Sequence, residues 1–335
     1  MTLASSTWQR DLSRAITDPA QLLAELDLDA GLATPARAAS NLFALRVTRS
    51  YLARMRRGDA DDPLLRQVLP RADELVELPG YGSDPLQERD ATRAPNLLQK
   101  YAGRALLITT QACAIHCRYC FRREFPYSAQ AEAGEGAGRW SSALEALAND
   151  TSIEEVILSG GDPLSLSDAR LASITNAIAD MPHVQRIRVH TRQPIVLPSR
   201  VDAGLLAWLR GIRLPTVVVL HTNHANEIDD DVRTACAQLR AAGVTLLNQS
   251  VLLRGVNDDV ETLANLSRAL MNAGVMPYYL HLPDRVRGTA HFDVPEAEAQ
   301  RIIERLSFRL SGYLVPRLVR EVPGAPYKVP SVITS

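Results

Sequence analysis

The chain has 335 residues, 46% of them apolar and only 5% aromatic, enough for one large core with extensions. Its 37 basic side chains face 38 acidic ones, and the net charge of −1 excludes a general attraction to nucleic acid or membrane surfaces. No apolar run approaches the roughly 18 residues of a membrane span, and MTLASSTWQRDLSRAI lacks the apolar stretch of a signal peptide, so a cytoplasmic protein is expected.

Residues 1–100 carry helical periodicity with frequent breaks and are expected to form a mainly helical N-terminal extension. After Asp18-Pro19, the segment DPAQLLAELDL places Leu22, Leu23, Leu26 and Leu28 in one short amphipathic stretch. The next segment, FALRVTRSYLARMRRGDADDPLLRQVLP, ends in turn chemistry at Gly58-Asp59 and Asp62-Pro63. Its arginines Arg54, Arg56 and Arg57 read as a solvated helix face. ELPGYGSDPLQERD, with Gly80, Gly82 and Pro85, reads as a loop.

From residue 104 the pattern alternates. Apolar, β-rich runs appear at Ala105–Ile108, Val156–Leu158, Ile187–Val189, Val217–Leu220, Leu246–Leu253 and Tyr278–Leu282, with helix-like segments between them. This is the βαβ rhythm of a parallel sheet. Six units fall short of the eight strands that close a barrel of roughly 250 residues. The expected fold class is therefore α/β, an open six-stranded partial β/α barrel over 101–292. In 293–335 a helix (Pro295–Leu310) and a strand-like run (Tyr313–Val322) precede PGAPYKVPSVITS.

In parallel α/β architectures, sites form at the carboxyl ends of the strands. The first strand is followed by Cys113-Ala-Ile-His-Cys117-Arg-Tyr-Cys120, in which three of the chain's four cysteines are spaced C-x3-C-x2-C. Three thiolates hold three corners of a [4Fe–4S] cube and leave the fourth iron open, whereas an ordinary ferredoxin-type cluster takes four cysteines. Zinc is the alternative, since Cys3His is a common zinc set. Against it, His116 adjoins Cys117 and no second C-x2-C pair follows. Cys236, alone in the helical TACAQLRAAG, reads as a small buried hydrophobe.

The second strand runs into Ser159-Gly160-Gly161-Asp162-Pro163, the fourth into His221-Thr222-Asn223-His224, the fifth contains Asn248-Gln249, and the sixth ends near Asp284. The glycine pair allows close backbone approach, with the Asp162 carboxylate free to meet an ammonium group; on residue types alone it is equally a βα turn. Lys100-Tyr101-Ala-Gly-Arg104 places two cations beside a tyrosine, a donor set for phosphate or a solvated loop. Lys100 and Lys328 are the only lysines among the 37 basic residues. Lysine forms a Schiff base and arginine does not.

C-x3-C-x2-C with Tyr119 before the last cysteine resembles the signature of the radical S-adenosylmethionine (SAM) enzymes. The continuation CFRREF, with SGGDPL and PYYLHLPD, resembles the lysine 2,3-aminomutase family over nearly the whole chain. GDADDPLLRQVLP and GYGSDPL resemble the bacterial branch that serves the modification of elongation factor P. The resemblance implies a [4Fe–4S] cluster on Cys113, Cys117 and Cys120, with SAM on its open iron. It implies SAM contacts from Gly160, Gly161, Asp162, His221 and Gln249. It places the phosphate of pyridoxal 5'-phosphate (PLP) near Lys100, Tyr101 and Arg104, and makes Lys328 the PLP lysine. The glycine-rich run the family carries before that lysine is shortened here to GAPY. Arg122 matches the arginine for the substrate carboxylate. Asp284 matches one of two aspartates for the ε-ammonium, and Glu321 stands in the place of the other.

The implied activity is conversion of L-α-lysine to (R)-β-lysine by radical 1,2-amino migration, with a ligase then attaching β-lysine to elongation factor P. An electron donor such as flavodoxin or ferredoxin is implied as well. The resemblance implies that members metabolising free lysine carry a cysteine-bearing C-terminal extension, and none is expected here, where the sequence shows no cysteine after Cys236. The competing readings are a catabolic or biosynthetic aminomutase acting on lysine or glutamate, and a non-catalytic iron–sulfur or zinc module. Asp284 and Glu321 oppose glutamate, whose anionic side chain would meet like charge.

Overall fold

A computed structural model describes residues 7–127 and 136–332. The N-terminal segment folds into short helices: α1 (Thr7–Ser13), α2 (Pro19–Glu25), α3 (Ala33–Leu42), α4 (Arg49–Leu52) and α5 (Pro63–Arg66). Three of them begin on a side-chain cap. Asp18 accepts from Ala20 N, Thr48 from Tyr51 N, and Asp62 from Leu64 and Leu65 N. Leu22, Leu23 and Leu26 are buried as their spacing predicts, in a core continuous with the barrel.

Arg54 departs from expectation. Its side chain is 6% exposed, whereas Arg56 and Arg57 do stand in solvent. Arg54 donates to the carbonyls of Ser50, Ile195 and Glu227, which lie at turns and short helix ends lacking their own donors. Burial of a long arginine is tolerated because its donors find these acceptors.

One ten-stranded sheet follows, its strands adjacent in chain order. They are β1 (Thr92–Ala94), β2 (Leu97–Tyr101), β3 (Arg104–Thr110), β4 (Glu155–Gly160), β5 (Arg186–Thr191), β6 (Thr216–His221), β7 (Thr245–Val251), β8 (Met276–His281), β9 (Arg317–Arg320) and β10 (Val329–Pro330). From β3 to β9 every neighbouring pair is parallel. The edges are antiparallel, β1–β2–β3 at one side and β9–β10 at the other. The six apolar runs are β3 to β8, and the seventh parallel strand, β9, lies within the strand-like Tyr313–Val322. Lys100 and Tyr101 sit on β2, within the sheet, so their side chains are held by a hairpin.

The helices between strands are α6 (Ser141–Asn149), α7 (Asp168–Ala179), α8 (Gln193–Val196), α9 (Ala203–Gly211), α10 (Asp230–Ala241) and α11 (Val260–Asn272); α12 (Glu296–Arg309) precedes β9. Strand alternation divides the two faces. On β5, Ile187, Val189 and Thr191 are buried, while Arg188 and His190 border the concave side. Among the described residues no helix is long and apolar enough to cross a membrane.

Candidate active site

A cavity of about 460 Å³ runs along the parallel strands to their carboxyl ends, and every site residue nominated from the sequence borders it. Cys113, Cys117 and Cys120 share one wall. Burial, followed by neighbouring negative charge, raises the Cys113 thiol well above its ordinary range and Cys120 to about 11. Arg192 donates to the Cys117 sulfur, so positive charge already faces the position where thiolates are needed. Among the described residues no three His, Cys, Asp or Glu side chains stand at single-ion spacing. His116 is committed elsewhere, its Nδ1 2.8 Å from Ala44 O and its ring stacked on Phe43. Cys236 is buried in α10, its thiol pushed up to about 12 by burial.

The glycine turn after β4 is fitted against the cysteine loop. Gly161 N donates to Thr110 O at 2.6 Å and Asp162 N to Ala112 O at 2.8 Å. A Cβ on Gly160 would meet Thr110 O at 2.5 Å, and one on Gly161 would meet Ala112 O at 2.5 Å. Gly160 also has φ +121°, a conformation closed to side-chain-bearing residues. Glycine at both positions thus lets the turn pack directly against the backbone of the cysteine loop. Asp162, expected to present a free carboxylate, is instead fully engaged. One oxygen accepts from Leu164 N and Thr191 Oγ1, the other from Thr191 Oγ1, Arg192 N and Gln193 N. Its physical work is to tie the end of β5 to the glycine turn.

Five alternating charges cross the cavity. Arg122 meets Glu88 through two hydrogen bonds of 2.8 Å, and Lys100 Nζ lies 2.9 Å from Glu88 and 3.1 Å from Glu321. Lys328 Nζ completes the row, 2.6 Å from Glu321 Oε2. Asp284 stands in the same wall, enclosed by protein with its surface on the cavity. Burial and then the like charge of Glu321 push Asp284 up to about 7, against Lys328 and Lys100. Burial alone would raise Glu321 too, but Lys328 and Lys100 outweigh it and hold that carboxyl well below the ordinary range. Two carboxyls in one site have separated in protonation. Arg104 lies over the Tyr101 ring, 4.6 Å from its centroid, next to Lys100.

His221 ends β6 with Nε2 3.2 Å from Tyr119 OH, and burial drives it down to about 3, so it is a neutral ring. Gln249 projects from β7 into the cavity. Glu88, His190 and Arg192 were not found from the sequence. Glu88 lies in a loop without periodicity. His190 and Arg192 follow the third strand's apolar run, where the strand-end rule already points.

The fold and the cysteine wall together define the class: a partial β/α barrel of the radical SAM type. A family profile described as a 4Fe-4S single cluster domain matches residues 102–191. Over 324 residues the chain is 50% identical to L-lysine 2,3-aminomutase of Escherichia coli strain K12, covering 96% of this chain and 94% of that one. The protein of the same description from Haemophilus influenzae is 45% identical over the same shares. That of Clostridium subterminale is 37% identical over 286 residues, 85% of this chain and 68% of that one. The chain belongs to the L-lysine 2,3-aminomutase family.

Proposed function

We propose that the protein is a radical SAM, PLP-dependent L-lysine 2,3-aminomutase that forms (R)-β-lysine, and that this product serves the modification of elongation factor P. The observation that supports it most is the charge layout of the cavity. Arg122 stands near the cysteines, while Asp284 and Glu321 stand near Lys328. Lysine brings a carboxylate for the first and an ε-ammonium for the second.

The residues present fit the three groups. Cys113, Cys117 and Cys120 would hold the cluster, and Gly160 and Gly161, with His221 and Gln249, would border SAM. Lys100, Tyr101 and Arg104 would take the PLP phosphate, and Lys328 would link to its aldehyde carbon. When bound, these groups supply radical generation and delocalisation. The chain supplies placement. Asp162 fixes the turn that supports the cysteine loop. Glu321 holds the Lys328 ammonium inside the cavity. An arriving ε-ammonium favours ionisation of Asp284 and so strengthens its own contact. Apolar walls from Leu98, Leu106, Ile157, Val196 and Val251 exclude water from the reacting carbons.

The elongation factor P branch is supported by the phrases GDADDPLLRQVLP and GYGSDPL, and a reducing cytoplasm by three clustered free thiols. A flavodoxin- or ferredoxin-type donor would supply the electron. The test is anaerobic incubation with L-lysine, SAM, PLP and reductant, followed by chiral analysis. (R)-β-lysine is expected; unchanged lysine, or turnover of glutamate in its place, overturns the reading. Transfer of the product to elongation factor P by a lysyl ligase tests the second half.

A further inference from the structure

β5 presents two side chains to the concave side, Arg188 and His190, with His190 opposite Val219 of β6 in register. Arg188 is committed to Glu155 through an ion pair. His190 is not committed. Its Nε2 is buried and has no hydrogen-bond partner among the described residues. Leaving a buried polar nitrogen unpaired is costly, and here the ring that carries it also borders the cavity, where a ligand can supply a partner.

The surroundings say which ligand. Burial, then Arg188, Lys328, Arg122 and His281 all oppose a proton on this ring, so it is a neutral imidazole among cations. A neutral imidazole carries one N–H donor and one acceptor nitrogen. Its charged neighbours include Arg122 at the carboxylate end of the cavity and Lys328 at the cofactor end. An amino acid joined to the cofactor spans these two points with its α-carbon between them. The group it offers to an N–H in a cation-rich corner is an anion.

We propose that His190 is a substrate-binding residue, its ring N–H donating to the α-carboxylate of the amino-acid substrate beside Arg122. This rests on the lysine aminomutase reading above. It makes carboxylate recognition two-sided, a guanidinium from the cysteine loop and an imidazole from β5.

The experiment uses the cluster-loaded, PLP-loaded protein without SAM and reads amine binding from the visible absorbance change of PLP. L-lysine is compared with cadaverine (1,5-diaminopentane), which keeps both amines and lacks the carboxylate. A hydrogen bond to a charged group is worth about 1.5–3 kcal/mol, so His190→Leu is expected to weaken lysine roughly ten- to hundredfold. Cadaverine binding should stay within about twofold, and His190→Gln, whose amide reaches the same place, should recover most of the loss. Equal weakening of lysine and cadaverine, or less than about twofold for lysine, overturns the proposal. If His190→Leu loses PLP or the cluster, His190→Asn, too short to reach, replaces it against His190→Gln with the same criteria. A wild type that takes PLP but shows no lysine response overturns the functional reading and this inference with it, before any variant is compared.

Discussion

Glu88 and Arg122 meet fork to fork: Nε donates to Oε2 and Nη2 to Oε1, each at 2.8 Å, with both side chains buried. Nη1 donates to Ser159 Oγ at 3.2 Å and to Gly160 O at 3.5 Å, which leaves the second N–H of Nη2. Burial works against charge on Glu88, but Arg122 and Lys100 outweigh it and hold the carboxyl below its ordinary value. The pair therefore presets the edge that Arg122 offers to an incoming carboxylate. Breaking a buried pair by removing one partner typically costs about 3–5 kcal/mol, because the other charge is left alone. Glu88→Gln should lower the thermal midpoint accordingly. Lysine, whose carboxylate replaces the missing anion, should then raise the midpoint more in the variant than in the wild type. Equal shifts in scanning calorimetry would show that Arg122 does not take the carboxylate.

The cysteines give a second test. Cys113, Cys117 and Cys120 border one cavity, and Cys236 lies in α10 behind the sheet. Alanine at any of the three should abolish the broad iron–sulfur absorption after anaerobic reconstitution, and Cys236→Ala should keep it. Gly161→Ala should behave like a cysteine variant, since its Cβ would press on the Ala112 carbonyl that leads into Cys113. Retention of a full cluster in Gly161→Ala would show that the cysteine loop can move away.

These elements differ in how far the sequence revealed them. The cysteine triad and the glycine turn are local signals, each complete within a few residues. The strands announced themselves through β-rich apolar runs, and α12 lies within one residue of expectation at each end. Arg54 misled because arginines beside apolar residues resemble a solvated face, and two of its three carbonyl acceptors lie about 140 to 170 positions further along. Glu88 was silent for the same reason: its partners, Lys100 on β2 and Arg122 beyond the cysteines, are brought to it only by folding. The saturation of Asp162 is not legible at its own turn, because Thr191 Oγ1, Arg192 N and Gln193 N lie about 30 positions on, at the end of β5 and the start of α8. His190 and Arg192 were legible and overlooked; the strand-end rule reaches them from the apolar run that precedes them.

Lys328 and Lys100 both touch Glu321, so either is positioned to meet an aldehyde. The shorter contact is to Lys328, which sits on the loop before β10. Borohydride reduction of the PLP-loaded protein should trap the cofactor on the Lys328 peptide. Lys328→Ala should abolish β-lysine formation while reductive SAM cleavage persists, since the cysteine wall is untouched. Cofactor recovered on Lys100 would reverse the two roles.

Asp284 carries the last prediction, because its proton is shared out between fold and substrate. With a folded pKa of about 7 against an ordinary 3.8, it keeps its proton in the native protein where the unfolded chain has lost it. Its contribution to stability is complete below the unfolded value and is lost as pH rises through about 7. For binding the sign is opposite. Only the ionised carboxylate attracts an ε-ammonium, so lysine KM should fall as pH rises from about 6 to 8, and norleucine, which has no ammonium, should not follow. Asp284→Asn should flatten that profile. Removing one partner of a buried charge pair typically costs about 2–5 kcal/mol, which is roughly one and a half to three and a half decades in kcat/KM for lysine. Norleucine, a very poor substrate of the wild type, should lose less, because it brings no ammonium whose pairing the substitution could remove. The measurement is kcat/KM for both compounds in both proteins across the pH range under anaerobic conditions. Equal losses, with a pH profile unchanged by the substitution, would mean that Asp284 supports the cavity wall and that Glu321 alone reads the ammonium.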